Sequence, residues 1–301
     1  MNLAKLVVVV GVLLCSGVQT EAAEPKRLLL VGQGPDGHPA ATHEFMAGLK
    51  VIEKSLAEVE DIKVTTVRAD EPWREGPQLL KEADGVVLYV SQGARWMQTD
   101  AGLYDAFTAF AARGGGLVAL HWSVGAKDAK YIEGQMKLLG GSRGGPQRKY
   151  TVADFDLRLP TPDHPVVRGI KPFAIHDELY YRLDFLPGAI ERKLDGKIDG
   201  GTKVAGGNAA DDSGATSKIK RIFAATIDGK DETVAWAWER PDGGRSFGYV
   251  GMHFHENWKL VEYRRLAAQA ALWTLKMDVP KEGLKVEVDD ADLKLAKEAA
   301  K

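Results

Sequence analysis

Two separated segments of the chain carry the histidines most able to do chemistry. His253-Phe254-His255-Glu256-Asn257-Trp258 holds two of the seven histidines. On an extended strand, residues two apart share a face, so His253 and His255 would present both imidazoles to one side. Paired imidazoles can bind a metal, shuttle protons or hydrogen-bond hydroxyls. His121-Trp122-Ser123 follows the apolar run Leu117–Leu120 and brings a third imidazole. With His43 or Glu178, the set His121, His253 and His255 could complete a divalent-cation site. Metal-free acid/base or substrate-binding work, and plain structural hydrogen bonding, are equally open from the residues alone.

Around this core stand further polar and aromatic candidates. Gly32-Gln-Gly-Pro-Asp-Gly-His38 and His43 follow the first apolar run, and Gln92, Arg95 and Trp96 follow the third. The glycines of 32–37 match neither a dinucleotide fingerprint nor a phosphate-binding P-loop. Trp96, Trp122 and Trp258 fall in strand-exit loops, where flat aromatic faces suit the apolar faces of pyranose rings. Trp236 and Trp238 sit two apart on a strand and read as core, and Trp73 and Trp273 as packing. Asp177 and Glu178, in His176-Asp177-Glu178, read on their own as solvated or capping acids. Ser123 is a poor nucleophile candidate, because its turn lacks a leading glycine and Trp122 is bulky.

Composition removes several classes. A formal net charge of −2 over 301 residues offers no basic field for nucleic acid. Lys5, the apolar stretch Leu6–Val18 and the small residues Ala22-Ala23 read as a cleavable signal, residues 1–23, too short for a stable membrane span. Cys15 is the only cysteine, and Leu14 before it is too bulky for a lipidation site. The mature chain is therefore expected to have no thiolate nucleophile, disulfide or cysteine metal ligand.

The elements that must position these residues are four strand–helix units. Strands are expected at Arg27–Gly32, Ile62–Val67, Gly85–Ser91 and Leu117–His121. Helices are expected at His43–Val59, near Gln78–Ala83, at Thr99–Ala112 and at Ala126–Leu139. This alternation predicts an α/β fold with a doubly wound, mostly parallel sheet flanked by helices, flavodoxin-like in type. The second half adds extra antiparallel strands: Tyr150–Leu157, Ile222–Asp228, Thr233–Glu239 and Ser246–His253. Asp163–Tyr181 reads as loop and short strand, Glu191–Lys220 as a long surface loop, and Trp258–Met277 as a closing helix. One domain spans 25–280, and the charged tail 281–301 is expected to be peripheral. In such sheets ligands bind outside the carboxyl ends of the strands, where five of the seven histidines fall.

These motifs also carry a family resemblance. ETVAWAWERPDGGRSFGYVGMHFHENW (232–258), HDELY (176–180) preceded by DHPVVRG (163–169), ALHW (119–122) and GPDGHPAATHEF (34–45) resemble the ThuA-like family over about residues 26–277. That family is named for trehalose utilisation and has a class I glutamine amidotransferase-like fold. Related amidotransferases place a nucleophilic cysteine on a sharp turn after a central strand, where this chain reads Leu120-His-Trp-Ser-Val-Gly125, so glutamine hydrolysis is not expected. The resemblance implies an exported enzyme, a hydrolase, lyase or isomerase, processing a glycoside or oxidised (keto) sugar. His121, His253 and His255 would form its chemical core, with or without a divalent metal. His38, His43, Gln92, Arg95, Trp96, Trp122, Asp177, Glu178, Glu256 and Trp258 would line a small carbohydrate ligand. The other reading is a non-catalytic carbohydrate-binding or assembly module on the same fold.

Overall fold

A computed structural model describes residues 24–186 and 219–295, with the backbone of 193–194 and 197–198. The signal-like segment 1–23 lies outside the described residues, as does most of the Gly-rich stretch 191–220 read as a surface loop.

The first half runs β1 (Lys26–Gly32), α1 (Phe45–Ser55), β2 (Ile62–Arg68), α2 (Gly76–Glu82), β3 (Gly85–Tyr89), α3 (Gly93–Gln98), α4 (Ala101–Ala112), β4 (Gly116–Leu120) and α5 (Ile132–Leu139). The second half runs β5 (Gly141–Ser142), β6 (Lys149–Leu157), β7 (Phe173–Tyr181), β8 (Asp184–Phe185), β9 (Lys193–Leu194), β10 (Lys197–Ile198), β11 (Lys220–Ile227), β12 (Lys230–Glu239), β13 (Arg245–Tyr249) and α6 (Val261–Thr274).

β3 and β4 are aliphatic without alternation and buried throughout. Strands covered by helices on both faces have this pattern. β2 alternates between half-buried and exposed positions, as an edge strand does. The central sheet has the order β11-β12-β13-β4-β3-β1-β2. β13, β4, β3, β1 and β2 are parallel, and β12 and β11 extend the sheet as antiparallel strands. The mostly parallel sheet with added antiparallel strands is the expected fold class. Among the described residues, no helix is long and apolar enough to cross a membrane.

Three local expectations are corrected. Phe173–Tyr181 is one nine-residue strand rather than part of a loop and short-strand region, and it pairs along its length with β6. β13 stops at Tyr249 rather than reaching His253, because Met252 adopts a left-handed backbone (φ 78°) that cannot continue a strand. The described part of the tail is not peripheral: Val286 is buried, and the carbonyls of Leu284 and Val286 accept hydrogen bonds from Arg265 and Arg264 on α6.

Candidate functional site

The carboxyl ends of β1, β4 and β13 deliver three histidines to one point. β1 ends at Gly32, and the following loop reaches His43, whose backbone is left-handed (φ 53°). β4 ends at Leu120, and His121 turns sharply out of the strand with φ 51°. After β13, the chain bends at Met252 and presents His253. The two loops hold each other. His43 N–H donates to the His253 carbonyl (3.1 Å) and His255 N–H to the Ala41 carbonyl (2.8 Å). Non-glycine residues with positive φ are uncommon, and His43, His121 and Met252 are three of them.

The ring nitrogens converge. His121 Nε2 lies 3.0 Å from His43 Nε2 and 3.2 Å from His253 Nδ1. All three rings are buried, and the three ligand atoms lie within 4.8 Å of one another. The partners of the remaining nitrogens fix two tautomers. His43 Nδ1–H donates to Asp36 Oδ2 (2.8 Å), and His121 Nδ1–H donates to the Val250 carbonyl (2.9 Å). In their neutral forms both rings therefore aim a lone pair, not a proton, at the shared point. Burial, the largest influence, pushes the His43 and His121 pKa values down, so protonation to an imidazolium is disfavoured.

β7 closes the site. Glu178 and Tyr180 alternate with Asp177 and Leu179, so they share the face toward the histidines. Glu178 Oε1 stands 3.9 Å from His121 Nε2 and 4.0 Å from His253 Nδ1. Burial raises the Glu178 pKa. Tyr180 stacks on His121 and its hydroxyl lies 3.1 Å from His121 Nε2. Asp177, fully buried on the opposite face, does a different job. It accepts from the backbone N–H of Met252 (2.8 Å), His253 (3.1 Å) and Glu178 (2.9 Å) and from the Tyr263 hydroxyl (2.5 Å). It thus holds the turn that aims His253. Burial lifts its pKa to about 6, against the lowering effect of those donors.

The rim is formed by His38 and Trp122. His38 stacks on His43 (centroids 3.7 Å), and its Nδ1 bonds Asp36 Oδ1 at 2.7 Å. Burial opposes the Asp36 charge, yet the bonds and charges of His43 and His38 win and hold its carboxyl well below the usual range. Trp122 sets its ring edge-on to both His38 and His43, each at 5.6 Å.

Other expected site residues fall elsewhere. His255 is not part of the cluster: the strand that would have aligned it with His253 has ended, and its Nε2 reaches the Leu293 carbonyl instead (3.0 Å). Glu256 is exposed on the following turn. Trp258 and Trp96 are buried packing residues, not sugar platforms. Trp258 lies against Gly48 of α1 and Tyr89, and Trp96 stacks on Trp73 while its indole N–H donates to the Ala69 carbonyl. Arg95 pairs with Glu71, and the Gln92 side chain accepts from Lys127 N–H (3.2 Å). Ser123 is fully buried and both donates to and accepts from the Val90 backbone, which leaves it structural.

A profile for ThuA, trehalose utilisation, matches residues 36–274. The chain belongs to the ThuA family. A ThuA-like protein from Parabacteroides merdae is similar in structure, with a TM-score of 0.60 at 16% identity over 91% of this chain and 100% of that one. A ThuA-like protein from Bacteroides uniformis has a TM-score of 0.60 at 14% identity over 88% and 97%. No curated protein gives a significant match. In this ThuA-family chain the sharp turn after β4 carries His121. Sequence reasoning missed Asp36, whose position two before His38 and seven before His43 was the available signal. It also missed Tyr180, which alternates with Glu178.

Proposed function

We propose that this ThuA-family protein is an exported metal-dependent enzyme acting on a glycoside or oxidised sugar. His43, His121 and His253 would hold a divalent cation, with the Glu178 carboxylate beside it, 3.9 and 4.0 Å from His121 Nε2 and His253 Nδ1. One observation carries the reading: in their neutral forms, with each Nδ1–H donated away, His43 and His121 face each other through two Nε2 lone pairs at 3.0 Å. Neutral rings at that separation repel unless a cation or a proton lies between them. Ligands about 2.0–2.1 Å from one metal are about 2.9–3.4 Å apart at octahedral to tetrahedral angles. The observed 3.0 and 3.2 Å fit that range. Asp36–His43 and Val250–His121 are the outer hydrogen bonds that orient metal-binding histidines. Imidazole donors with one carboxylate favour a transition ion such as Zn2+ over Ca2+ or Mg2+.

Such an ion polarises a carbonyl and lowers the pKa of water. The residues of the chain do the rest. Tyr180, whose pKa burial pushes well above its ordinary value, stays a phenol and a donor beside His121. His38 is the ring at the solvent side, with 35% of its side chain exposed, and is placed to exchange a proton with a bound sugar. Trp122 offers the flat wall beside it. The family's trehalose-utilisation description and the signal-like residues 1–23 support the sugar and export parts of the reading.

Elemental analysis of the mature protein is expected to find about one equivalent of a transition metal. His43→Ala and His121→Ala should lose it, and His255→Gln should keep it. Turnover of keto-sugars or disaccharides should follow metal content. A protein that binds no added Zn2+, or turns sugars over equally well after chelation, overturns the proposal.

A further inference from the structure

Arg143 is a buried cation that the metal reading does not use. Its residue is only 5% exposed, and its backbone is clamped between Val124 and Ala126, directly after the His121 turn. Gly125 permits that clamp, because a Cβ there would stand 1.9 Å from the Arg143 carbonyl oxygen. The guanidinium lies over the Tyr180 ring at 4.1 Å and 5.9 Å from the Trp122 ring. Those two rings flank the histidines: Tyr180 reaches His121 Nε2, and Trp122 edges His43. Arg143 therefore packs beside the candidate site, against two of the rings that flank it.

Two of its nitrogens, Nε and Nη1, are buried and have no partner among the described residues. Burial lowers its pKa, with Arg148 adding to that effect and Glu178 and Tyr180 opposing it. A further cation, Lys127, lies over Trp122 at 5.3 Å. Once Glu178 and Asp36 are engaged by a metal and by histidines, this flank keeps excess positive charge. A buried guanidinium with free donors is expensive unless an anion meets it.

We propose that the substrate of this site carries an anionic oxygen group, such as a sugar carboxylate, and that Arg143 anchors it. This rests on the metal-site reading for the location of the sugar, but not for the anion preference.

Calorimetric titration of the Zn2+-loaded mature protein with D-glucuronate, glucose 6-phosphate and glucose tests the proposal. At least one acid should bind about tenfold or more tightly than glucose, and the two acids separate carboxylate from phosphate as the preferred group. Arg143→Gln should erase that preference while leaving Zn2+ content unchanged, and Arg143→Lys should restore part of it. Equal binding of glucose and both acids, no binding of either acid, or an unchanged preference in Arg143→Gln overturns it. Loss of Zn2+ in the parent protein would instead sink the metal reading, and the anion preference can still be measured without the ion.

Discussion

Replacing Asp177 by Asn separates what this carboxylate costs from what it does. In the folded protein its pKa is raised from 3.8 to about 6, chiefly by burial. A carboxylate with a raised pKa holds its proton in the folded state after the unfolded chain has released it. Its favourable contribution is full below pH 3.8 and is lost as pH rises through 6. The shift corresponds to a penalty of about 3 kcal/mol at pH 7.5 and about 1 kcal/mol at pH 4.5. Asn escapes that penalty at every pH but turns an NH2 toward the N–H of Met252, leaving a buried donor unpaired at about 1–3 kcal/mol. The stability of the variant relative to the parent should therefore rise by about 2 kcal/mol between pH 4.5 and pH 7.5. Near neutral pH the variant should match or slightly exceed the parent. Zn2+ affinity should move the other way and fall about tenfold or more, because the donors that aim His253 lose a charged acceptor. Urea denaturation at the two pH values, with a chelator competition at pH 7.5, reads both effects. A stability difference independent of pH, or an unchanged affinity, refutes the assignment of Asp177 as the charged anchor of the His253 turn.

Two shorter predictions address other parts of the molecule. Asp36→Asn removes the anion that fixes the His43 tautomer, so Zn2+ affinity should fall about 10–100-fold, measured by chelator competition; unchanged affinity would remove Asp36 from the site. His164, whose pKa burial and then Arg245 lower from 6.5 to about 4, is a base disfavoured in its charged form. The folded protein should lose about 2.5 kcal/mol as pH falls from 6.5 to 4, and His164→Asn should flatten that part of the thermal-stability profile.

The sheet was legible because β3 and β4 are short aliphatic runs bounded by Gly and turn residues, a pattern that allows few alternatives. His121 and His253 followed from the rule that ligands gather at the carboxyl ends of parallel strands. His255 was misassigned by extending a two-residue period past the true strand end. That end is set by Met252 turning left-handed and by Asp177, 75 residues away, capturing its N–H. Trp96 and Trp258 looked like sugar platforms because they fall in loops, but tertiary packing against Trp73 and Gly48 decides their burial. Arg143 lies in the glycine-rich stretch Gly140–Gly145, where no motif in the sequence marks it for chemistry. Its meaning depends on where Tyr180 and Trp122 come to lie.

Several costs gather at one point of this molecule. His43, His121 and Met252 hold left-handed backbones, each costing about 1–3 kcal/mol. Two lone pairs oppose each other between His43 and His121, and Asp177 keeps a charge in a fully buried place. None of these improves the fold on its own account, and the sheet beneath is apolar and regular enough to bear them. A ligand that binds only the folded state returns about 4 kcal/mol at a thousand times its dissociation constant, which is of the same order as the strain. If the proposed cation binds, this strain sits where it would be offset, in loops that their mutual hydrogen bonds and Asp177 already hold in place.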